Sequence, residues 1–408
     1  MILLIILIIS EFLTFFVFRH HYKGHSRTKY YVSTIVNAIL SIYLWILYFK
    51  VTTFRGAFDD PGHIWLTLNL TGTFCAILFP RILLDILHFT GKAIRSKSGG
   101  HLRSLTNAGI ILWIVIFTII SLGTITRFNV RTEYNTIQVE GLTKDLDGLT
   151  IVQISDIHMS GFYRNKDLLK SLFEKVNSLK PDILINSGDF VNIGWGEFDR
   201  NDTILSLAKG RLGSYAVLGN HDIGTYYPGL TNTQIDSNIS RMIKMVNASG
   251  YNVLNDDHAI IDIGKARLAI IGVITKGRHG HMVHGDLNKA LSGIDSVNFS
   301  ILISHDPNHW GQEVQGKSNI DLTLSGHTHG MQMGILTKRF QWSPAEYFYP
   351  RWNGLYNIGK QYLYVNRGLG VLAIPLRICM PAEISVIKLS AAPGSAGTGK
   401  KTDNQTLK

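Results

Sequence analysis

The sequence contains very little cysteine. Its 408 residues include two cysteines, Cys75 and Cys379, so at most one disulfide can form. Small secreted scaffolds depend on several disulfides because they lack a large core, and this cysteine content excludes that class. Because Cys75 lies inside an apolar run, we expect no disulfide, and the cysteines give no indication of the redox compartment.

Acidic residues are scarce in the N-terminal third. Residues 1–131 contain 13 Lys and Arg against 4 Asp and Glu, whereas the rest of the chain contains 27 against 25. The formal net charge of +11 is therefore concentrated beside the long apolar runs of this third. That distribution indicates membrane topology rather than a phosphate-binding face. A nucleic-acid-processing enzyme is disfavoured because residues 132–408 show no basic stripe with aromatic residues.

Four apolar runs approach the roughly 20 residues that cross a bilayer. They cover residues 1–18, 31–48, 64–79 with a continuation toward residue 89, and 108–126. Asn69 and Asp85 interrupt the third run, and a pair of buried core helices is the alternative interpretation. No Lys or Arg precedes the first run and no small-residue cleavage site follows it, so we expect no cleaved signal peptide. Residues 1–130 are predicted to form a transmembrane region of about four helices.

Basic residues between these runs predict the orientation. The first and third connections each carry four Lys or Arg residues, whereas the second carries two beside Asp59 and Asp60. Basic connections stay in the cytoplasm, so we expect the first and third on that side. With four crossings, the part after residue 131 is then extracytoplasmic; loss of the third span would reverse that location.

The composition changes near residue 132 to short β-rich runs that alternate with helical patterns. Strands are predicted at 149–154, 183–186, 215–218, 299–303 and 320–324, with later strands at 266–273, 361–365 and 383–389. Helices are predicted at 167–179 and 233–248. We therefore expect an α/β domain with a mixed sheet system over residues 131–390. The small, polar tail at 391–408 is predicted to be disordered.

Polar residues of one chemical type follow each of the first five predicted strands. The motifs are SDIH with Asp156 and His158, SGDFV with Asp189, GNHD with Asn220, His221 and Asp222, SHDP with His305, and GHTHG with His327 and His329. Ligands of open α/β sheets gather outside the carboxyl ends of the strands, so these side chains should meet in one crevice. Each motif alone also occurs in ordinary turns. The five motifs in this order indicate a functional site.

The donor set predicts metal binding. Ionised carboxylates packed so closely repel each other unless a cation lies between them. Mixed oxygen and nitrogen donors suit borderline and hard divalent ions, here manganese, iron or zinc. Because the donors exceed the needs of one ion, we expect two ions, which at a separation of about 3.5–4 Å form a device for cleaving phosphate esters.

The ordered motifs resemble those of the calcineurin-like metallophosphoesterases over residues 149–389. The membrane-tethered bacterial branch is the most similar, because YVNRGLGVLAIPLRICMPAEISVIKL also matches its C-terminal pattern. Met331 is a departure, since that branch more often has glycine before Gln332. The resemblance implies a four-layer α-β-β-α sandwich, here preceded by an all-α transmembrane bundle.

The resemblance also implies roles for the site residues. Asp156, His158 and His329 would hold the first ion, Asn220, His305 and His327 would hold the second, and Asp189 would bridge the two. His221 would protonate the leaving oxygen or stabilise charge on the phosphoryl group. Asp222 would orient His221 without binding metal.

Several other residues admit more than one interpretation. One segment contains His279, His281 and His284. The sequence leaves three interpretations of it open: lining of the substrate pocket, binding of a third ion, or a solvated loop. His309 and Trp310 cover the rim of the site or pack at the start of a helix. Arg351, Arg367 and Arg377 contact phosphate or stabilise the structure.

We therefore predict a membrane-anchored, two-metal hydrolase of phosphomonoester, phosphodiester or pyrophosphate bonds. Proximity to the bilayer favours a phosphorylated lipid or another cell-envelope metabolite as substrate, and no nucleic acid is expected as a partner. One alternative is a non-catalytic membrane receptor or scaffold that retains the fold. Another is a hydrolase of nucleotide-linked acyl-sugar pyrophosphates, which requires a cytoplasmic domain. The oligomeric state stays open.

Overall fold

The computed structural model describes residues 2–22, 26–98, 103–275 and 285–393. His279, His281 and His284 and nearly all of the predicted tail lie outside these ranges. The chain forms two compact units. The helical unit comprises Met1–Gly56, Trp65–Arg127 and Ala373–Ile378, and the sheet unit comprises Ala57–Ile64, Phe128–Leu372 and Cys379–Lys408. The domain boundaries near residues 131 and 391 stay predictions.

Four long helices build the helical unit. They are α1 (Ile2–Tyr22), α2 (Arg27–Thr52), α3 (Pro61–Ser98) and α4 (Arg103–Ile125). Within the described residues, the stretches Leu4–Tyr22, Arg27–Thr52, Pro61–Ile94 and Arg103–Ile125 are long and apolar enough to cross a membrane. The four predicted spans are therefore confirmed as candidates, including the third.

Two charged residues of the third span contact other helices. Arg81 is fully buried, and its Nη1 lies 3.3 Å from Glu11 Oε1 on α1. Asp85 accepts a hydrogen bond from Thr14 Oγ1 at 3.2 Å. Lipid offers no hydrogen-bond partners, so polar side chains of membrane helices pair with one another. This pairing makes α3 compatible with a membrane span even though its apolar run contains charged residues.

Two six-stranded sheets and a hairpin build the sheet unit. The strands are β1 (Val130–Val139), β2 (Thr150–Ile154), β3 (Ile183–Asn186), β4 (Ser214–Ala216), β5 (Asn252–Val253), β6 (Asp257–Ile263), β7 (Ala266–Val273), β8 (Phe299–Ser304), β9 (Leu322–Ser325), β10 (Ile335–Leu336), β11 (Gln341–Trp342), β12 (Gly354–Ile358), β13 (Gln361–Val365) and β14 (Ala382–Ala391). The first sheet has the order β1-β14-β2-β3-β4-β5 and the second β12-β13-β9-β8-β7-β6. Strands β2 to β5 are parallel, as are β7, β8, β9 and β13.

The sheets pack face to face and helices cover their outer faces. Branched residues of both sheets, such as Ile151 and Ile301, share one buried cluster between the layers. Helices α5 (Lys166–Ser178), α6 (Asp202–Leu205) and α7 (Asn232–Ala248) cover the first sheet, and Phe173 of α5 is completely buried there. Helix α8 (Leu287–Leu291) and Trp310 cover the second sheet. This arrangement confirms the expected α-β-β-α layers.

Residues 57–64, which comprise the end of the α2–α3 connection and the first turn of α3, belong to the sheet unit together with most of the chain from Phe128 onward. Two segments of one compact unit must lie on the same side of a membrane. An even number of crossings therefore separates them, so α3 and α4 either both cross or both do not. Both helices are long and apolar enough to span a membrane.

Candidate metal centre

The predicted site residues follow the carboxyl ends of parallel strands. Asp156 and His158 follow β2, Asp189 follows β3, and the GNHD motif follows β4. His305 follows β8 in the second sheet, and GHTHG follows β9. Both sheets thus contribute to one site.

The first cluster contains Asp156, His158 and His329, whose ligand atoms lie within 4.8 Å of one another. His329 Nε2 lies 3.1 Å from His158 Nε2 and 3.2 Å from Asp156 Oδ1. All three side chains are buried. Their donor atoms converge on one small space.

The second cluster contains Asp189, His305 and His327, again with ligand atoms within 4.8 Å of one another. His305 Nε2 lies 3.0 Å from Asp189 Oδ2, and His327 Nδ1 lies 2.8 Å from Asn220 Oδ1. Asp189 Oδ2 also lies 3.8 Å from His158 Nε2 of the first cluster. One carboxylate therefore reaches a histidine of each cluster.

The hydrogen bonds of the histidines show that this donor set fits cations. His158 Nδ1 lies 3.0 Å from Val191 O, and His305 Nδ1 lies 2.8 Å from Ser187 O. A carbonyl oxygen only accepts, so each Nδ1 carries the hydrogen and a neutral ring turns its Nε2 lone pair toward the site. Buried lone pairs and carboxylates that face each other need a positive charge between them.

The same charges perturb the pKa values of the site. Burial and the charge of His329 lower the pKa of His158 to about 3, so this ring stays neutral. Burial also lowers the pKa of His305, but the charge of Asp189 outweighs it and raises that pKa to about 10. A proton on His305 thus supplies a positive charge that a bound cation would supply instead.

The backbone at the site is strained. Positive φ angles occur at Asp156 (50°), His158 (46°), Asp189 (58°), His327 (71°) and His329 (49°). Each left-handed residue other than glycine costs roughly 1–3 kcal/mol, and such residues concentrate at functional sites. Met331, the departure from the related branch, also has a positive φ, 44°, which glycine would adopt without strain.

His221 and Asp222 have different partners. His221 Nδ1 lies 2.6 Å from Asn192 O, and its ring lies 5.1 Å from the His158 ring. The Asp222 carboxylate accepts backbone N–H groups of Asp189, Phe190, Val191 and Gly219 at 2.8–3.1 Å. The orienting contact predicted for Asp222 is thus made by the Asn192 carbonyl, and Asp222 holds the backbone of the Asp189 loop.

Glu197 in turn holds Asn192, and the sequence did not predict a role for Glu197. Glu197 is fully buried and accepts hydrogen bonds from Asn192 N at 2.9 Å, Asn192 Nδ2 at 2.8 Å and Ser160 Oγ at 2.6 Å. Burial raises its pKa even though these donors favour the charged form. The six-residue stretch NIGWGE, from Asn192 to Glu197, gives no metal-ligand pattern.

Two tyrosines join the site without having been predicted. Tyr226 stacks on His221, with ring centroids 4.3 Å apart, and its hydroxyl lies 3.1 Å from Asn220 Nδ2. The Tyr349 hydroxyl lies 2.8 Å from His327 Nε2. The available signals were the tyrosine pair that begins four residues after Asp222 of GNHD and the aromatic stretch YFY before Pro350.

The remaining candidates within the described residues make contacts inside the protein. His309 bonds to Ser304 Oγ at 2.7 Å, and Trp310 is completely buried. Arg367 lies 2.9 Å from Glu133 and 3.0 Å from Glu383, and Arg351 lies over the Trp310 ring. Arg377 is 3% exposed and belongs to the helical unit, where its backbone N–H donates to Gly123 O.

The model of the calcineurin-like phosphoesterase family matches residues 149–331. A UDP-2,3-diacylglucosamine pyrophosphatase of Chlamydia trachomatis is 30% identical over 290 residues, which cover 61% of this chain and 85% of that protein. The chain belongs to the calcineurin-like phosphoesterase family. Its segment 149–331 is therefore a phosphoesterase domain, and the family resemblance of the motifs is confirmed.

Other members of the family combine this domain with membrane segments. A transmembrane protein with metallophosphoesterase domain from Danio rerio is 32% identical over 263 residues, which cover 63% of this chain and 56% of that protein. An uncharacterized metallophosphoesterase of Bacillus subtilis is 28% identical over 274 residues, covering 64% of this chain and 86% of that protein. The chain thus spans little more than half of the Danio rerio relative. Its four apolar helices and the Danio rerio relative, which is named as a transmembrane protein, associate this chain with a membrane.

Proposed function

We propose that the protein is a membrane-anchored phosphoester hydrolase that uses two divalent metal ions. The observation that carries this proposal is the position of Asp189, whose Oδ2 lies 3.0 Å from His305 Nε2 and 3.8 Å from His158 Nε2. Asp156, His158 and His329 would hold one ion, Asn220, His305 and His327 the other, and Asp189 both. Two such ions would polarise phosphate oxygens and acidify a water molecule.

His221 would act as the proton donor. Its Nδ1–H donates to Asn192 O, so a ring protonated on both nitrogens would give its Nε2 proton to the oxygen that leaves phosphorus. Tyr226 stacks on the ring and restricts its rotation. Asn192 O thus holds one edge of the imidazole and Tyr226 holds one face, and the ring lies beside the first cluster.

The substrate class that we propose is an amphiphile, either a phosphorylated lipid or a lipid-linked pyrophosphate. Exposed apolar side chains are frequent between the GHTHG motif and Tyr349: Met331, Met333, Ile335, Phe340, Tyr347 and Phe348. Lys338 and Arg339 are exposed in the same segment, and cations beside apolar groups suit a lipid interface. The Chlamydia trachomatis relative, whose name gives a diacylated sugar nucleotide as substrate, supports acyl chains in the substrate.

The experiment uses the full-length protein in detergent, loaded with manganese. Wild type should hydrolyse a chromogenic phosphodiester, and Asp189→Asn should lose at least about two orders of magnitude of that activity, within the range expected for removing a catalytic metal site. Equal rates in both proteins would favour the non-catalytic scaffold. A phosphodiester with acyl chains should show a higher kcat/KM than its deacylated analogue. Equal values would contradict the proposal that the substrate is an amphiphile.

We infer that the sheet unit faces away from the cytoplasm. The basic residues of the first and third connections support this side, and the shared unit of residues 57–64 and 128 onward supports an even number of crossings by α3 and α4. Cys379 is exposed and Cys75 is buried, so the native chain carries one reporter thiol among the described residues. An impermeant maleimide should label intact cells, with Cys379→Ser as control. Labelling only after permeabilisation would place the site in the cytoplasm and favour a nucleotide-linked acyl-sugar substrate.

A further inference from the structure

The connection between α2 and α3 reaches a loop of the active site. Asp59, which is 6% exposed, accepts a hydrogen bond from Gly196 N at 2.8 Å through its Oδ2. A Cβ at Gly196 would lie 2.6 Å from the same oxygen, so only glycine permits this approach. Both residues belong to the sheet unit.

The loop that Asp59 holds is the one that holds His221. Gly196 precedes Glu197, and the buried Glu197 carboxylate accepts the Asn192 backbone N–H at 2.9 Å. The Asn192 carbonyl in turn lies 2.6 Å from His221 Nδ1. A displacement of residues 192–197 would therefore move the acceptor that fixes the imidazole.

A second contact from the connection between α2 and α3 supports the other side of the His221 ring. Phe58 N donates to Tyr227 Oη at 3.3 Å, and the two aromatic rings lie 5.4 Å apart. The adjacent Tyr226 stacks on His221 at 4.3 Å and 16° between ring planes. Two consecutive residues, Phe58 and Asp59, thus contact both loops that flank the His221 ring.

We propose that Asp59 is a positioning residue for His221, so that the connection between two membrane helices is part of the catalytic apparatus. This inference rests on the proposed role of His221 as proton donor. A catalytic group displaced by about 1 Å can slow its reaction about 100-fold. Loss of the hydrogen bond between Asp59 and Gly196 can therefore lower the rate even though Asp59 does not touch the substrate. The helices of this phosphoesterase then do more than anchor it.

The test compares Asp59→Ala, Asp59→Asn and Asp60→Ala in the full-length, manganese-loaded protein. Asp60 is the matched control, because its Oδ1 accepts Gly62 N and His63 N at the start of α3, a local structural role. The substrates are a p-nitrophenyl phosphodiester and the corresponding phenyl phosphodiester. The phenolate of the second leaves poorly without a proton, so the loss of a proton donor slows it more.

Asp59→Ala should lower kcat on the phenyl ester about 10- to 100-fold, with a smaller loss on the p-nitrophenyl ester and an unchanged KM and metal content. Asp59→Asn, whose amide oxygen can still accept from Gly196 N, should recover most of the rate. Equal losses on both esters, loss of bound metal, or an identical effect of Asp60→Ala would overturn the proposal. A wild type as inactive as Asp189→Asn would instead refute the proposed hydrolase itself.

Discussion

His158 Nε2 and His329 Nε2 lie 3.1 Å apart, although His158 already engages Val191 O through its Nδ1. Two buried acceptor nitrogens at this distance are stable only with a proton or a cation shared between them. Asp156 Oδ1, 3.2 Å from His329 Nε2, would add a third donor to a metal ion held there. The relationship leads to predictions that separate metal binding from chemistry.

Asp189→Asn should remove both metal ions, whereas Asn220→Ala should weaken the second ion alone. The reason is that Asp189 Oδ2 approaches histidines of both clusters, while Asn220 Oδ1 contacts only His327 among the proposed ligands. Metal per protein chain, measured by mass spectrometry after dialysis, distinguishes the two variants. Loss of a single ion from Asp189→Asn would contradict the bridging position.

His221→Gln should reduce kcat by about two to four orders of magnitude, because it removes the proposed proton donor. Bound metal should not change, since the His221 ring is held by Asn192 O and Tyr226 rather than by a proposed ligand. Steady-state kinetics and metal content are measured on the same preparation. A variant that loses its metal would identify His221 as a ligand instead.

Manganese affinity should rise as the pH increases from about 6.5 toward 10. In the metal-free protein the charge of Asp189 overcomes the effect of burial and raises the pKa of His305 from 6.5 to about 10, so below that pH a metal ion must displace a proton. The raised pKa stabilises the metal-free fold fully below pH 6.5, and this contribution is lost as the pH rises through 10. Calorimetric titration in buffers of different ionisation enthalpy should show proton release on binding. Absence of that release near pH 7.5 would mean that His305 is already neutral.

Gly219→Ala should abolish metal binding, because a Cβ there would collide with Asp189 Oδ1 and lie 2.7 Å from Asp189 N. Gly161→Ala is the matched control: it is also buried, but its Cβ would meet Val371 at 3.6 Å and Phe128 at 3.7 Å, ordinary contacts. Metal content and kcat should fall by at least about 100-fold in the first variant, as for loss of a metal site, and stay near wild type in the second. Similar metal content in both would show that the GNHD loop can move away from Asp189.

The sequence predicted much of the fold because local patterns carry it. Strands β3, β7 and β13 were predicted at their observed bounds, because each is a short run of aliphatic and aromatic residues that favour strands. The observed β4 is Ser214–Ala216 instead of 215–218, because ladder pairing ends before the apolar run does. The ten-residue β1 was not predicted, since it depends on pairing with β14 about 250 residues away.

The sequence by itself determined which metal-binding side chains follow which strand. Because the carboxyl ends of parallel strands lie at the same edge of a sheet, the carboxylates and imidazoles that follow these strands lie close together. Tertiary structure alone decided what holds those donors: the Asn192 carbonyl on His221, Glu197 behind it, and Asp59 from a connection about 130 residues earlier. These supports are backbone groups and ordinary carboxylates whose importance comes from distance in space, and no periodicity or motif records a contact between segments that only folding brings together.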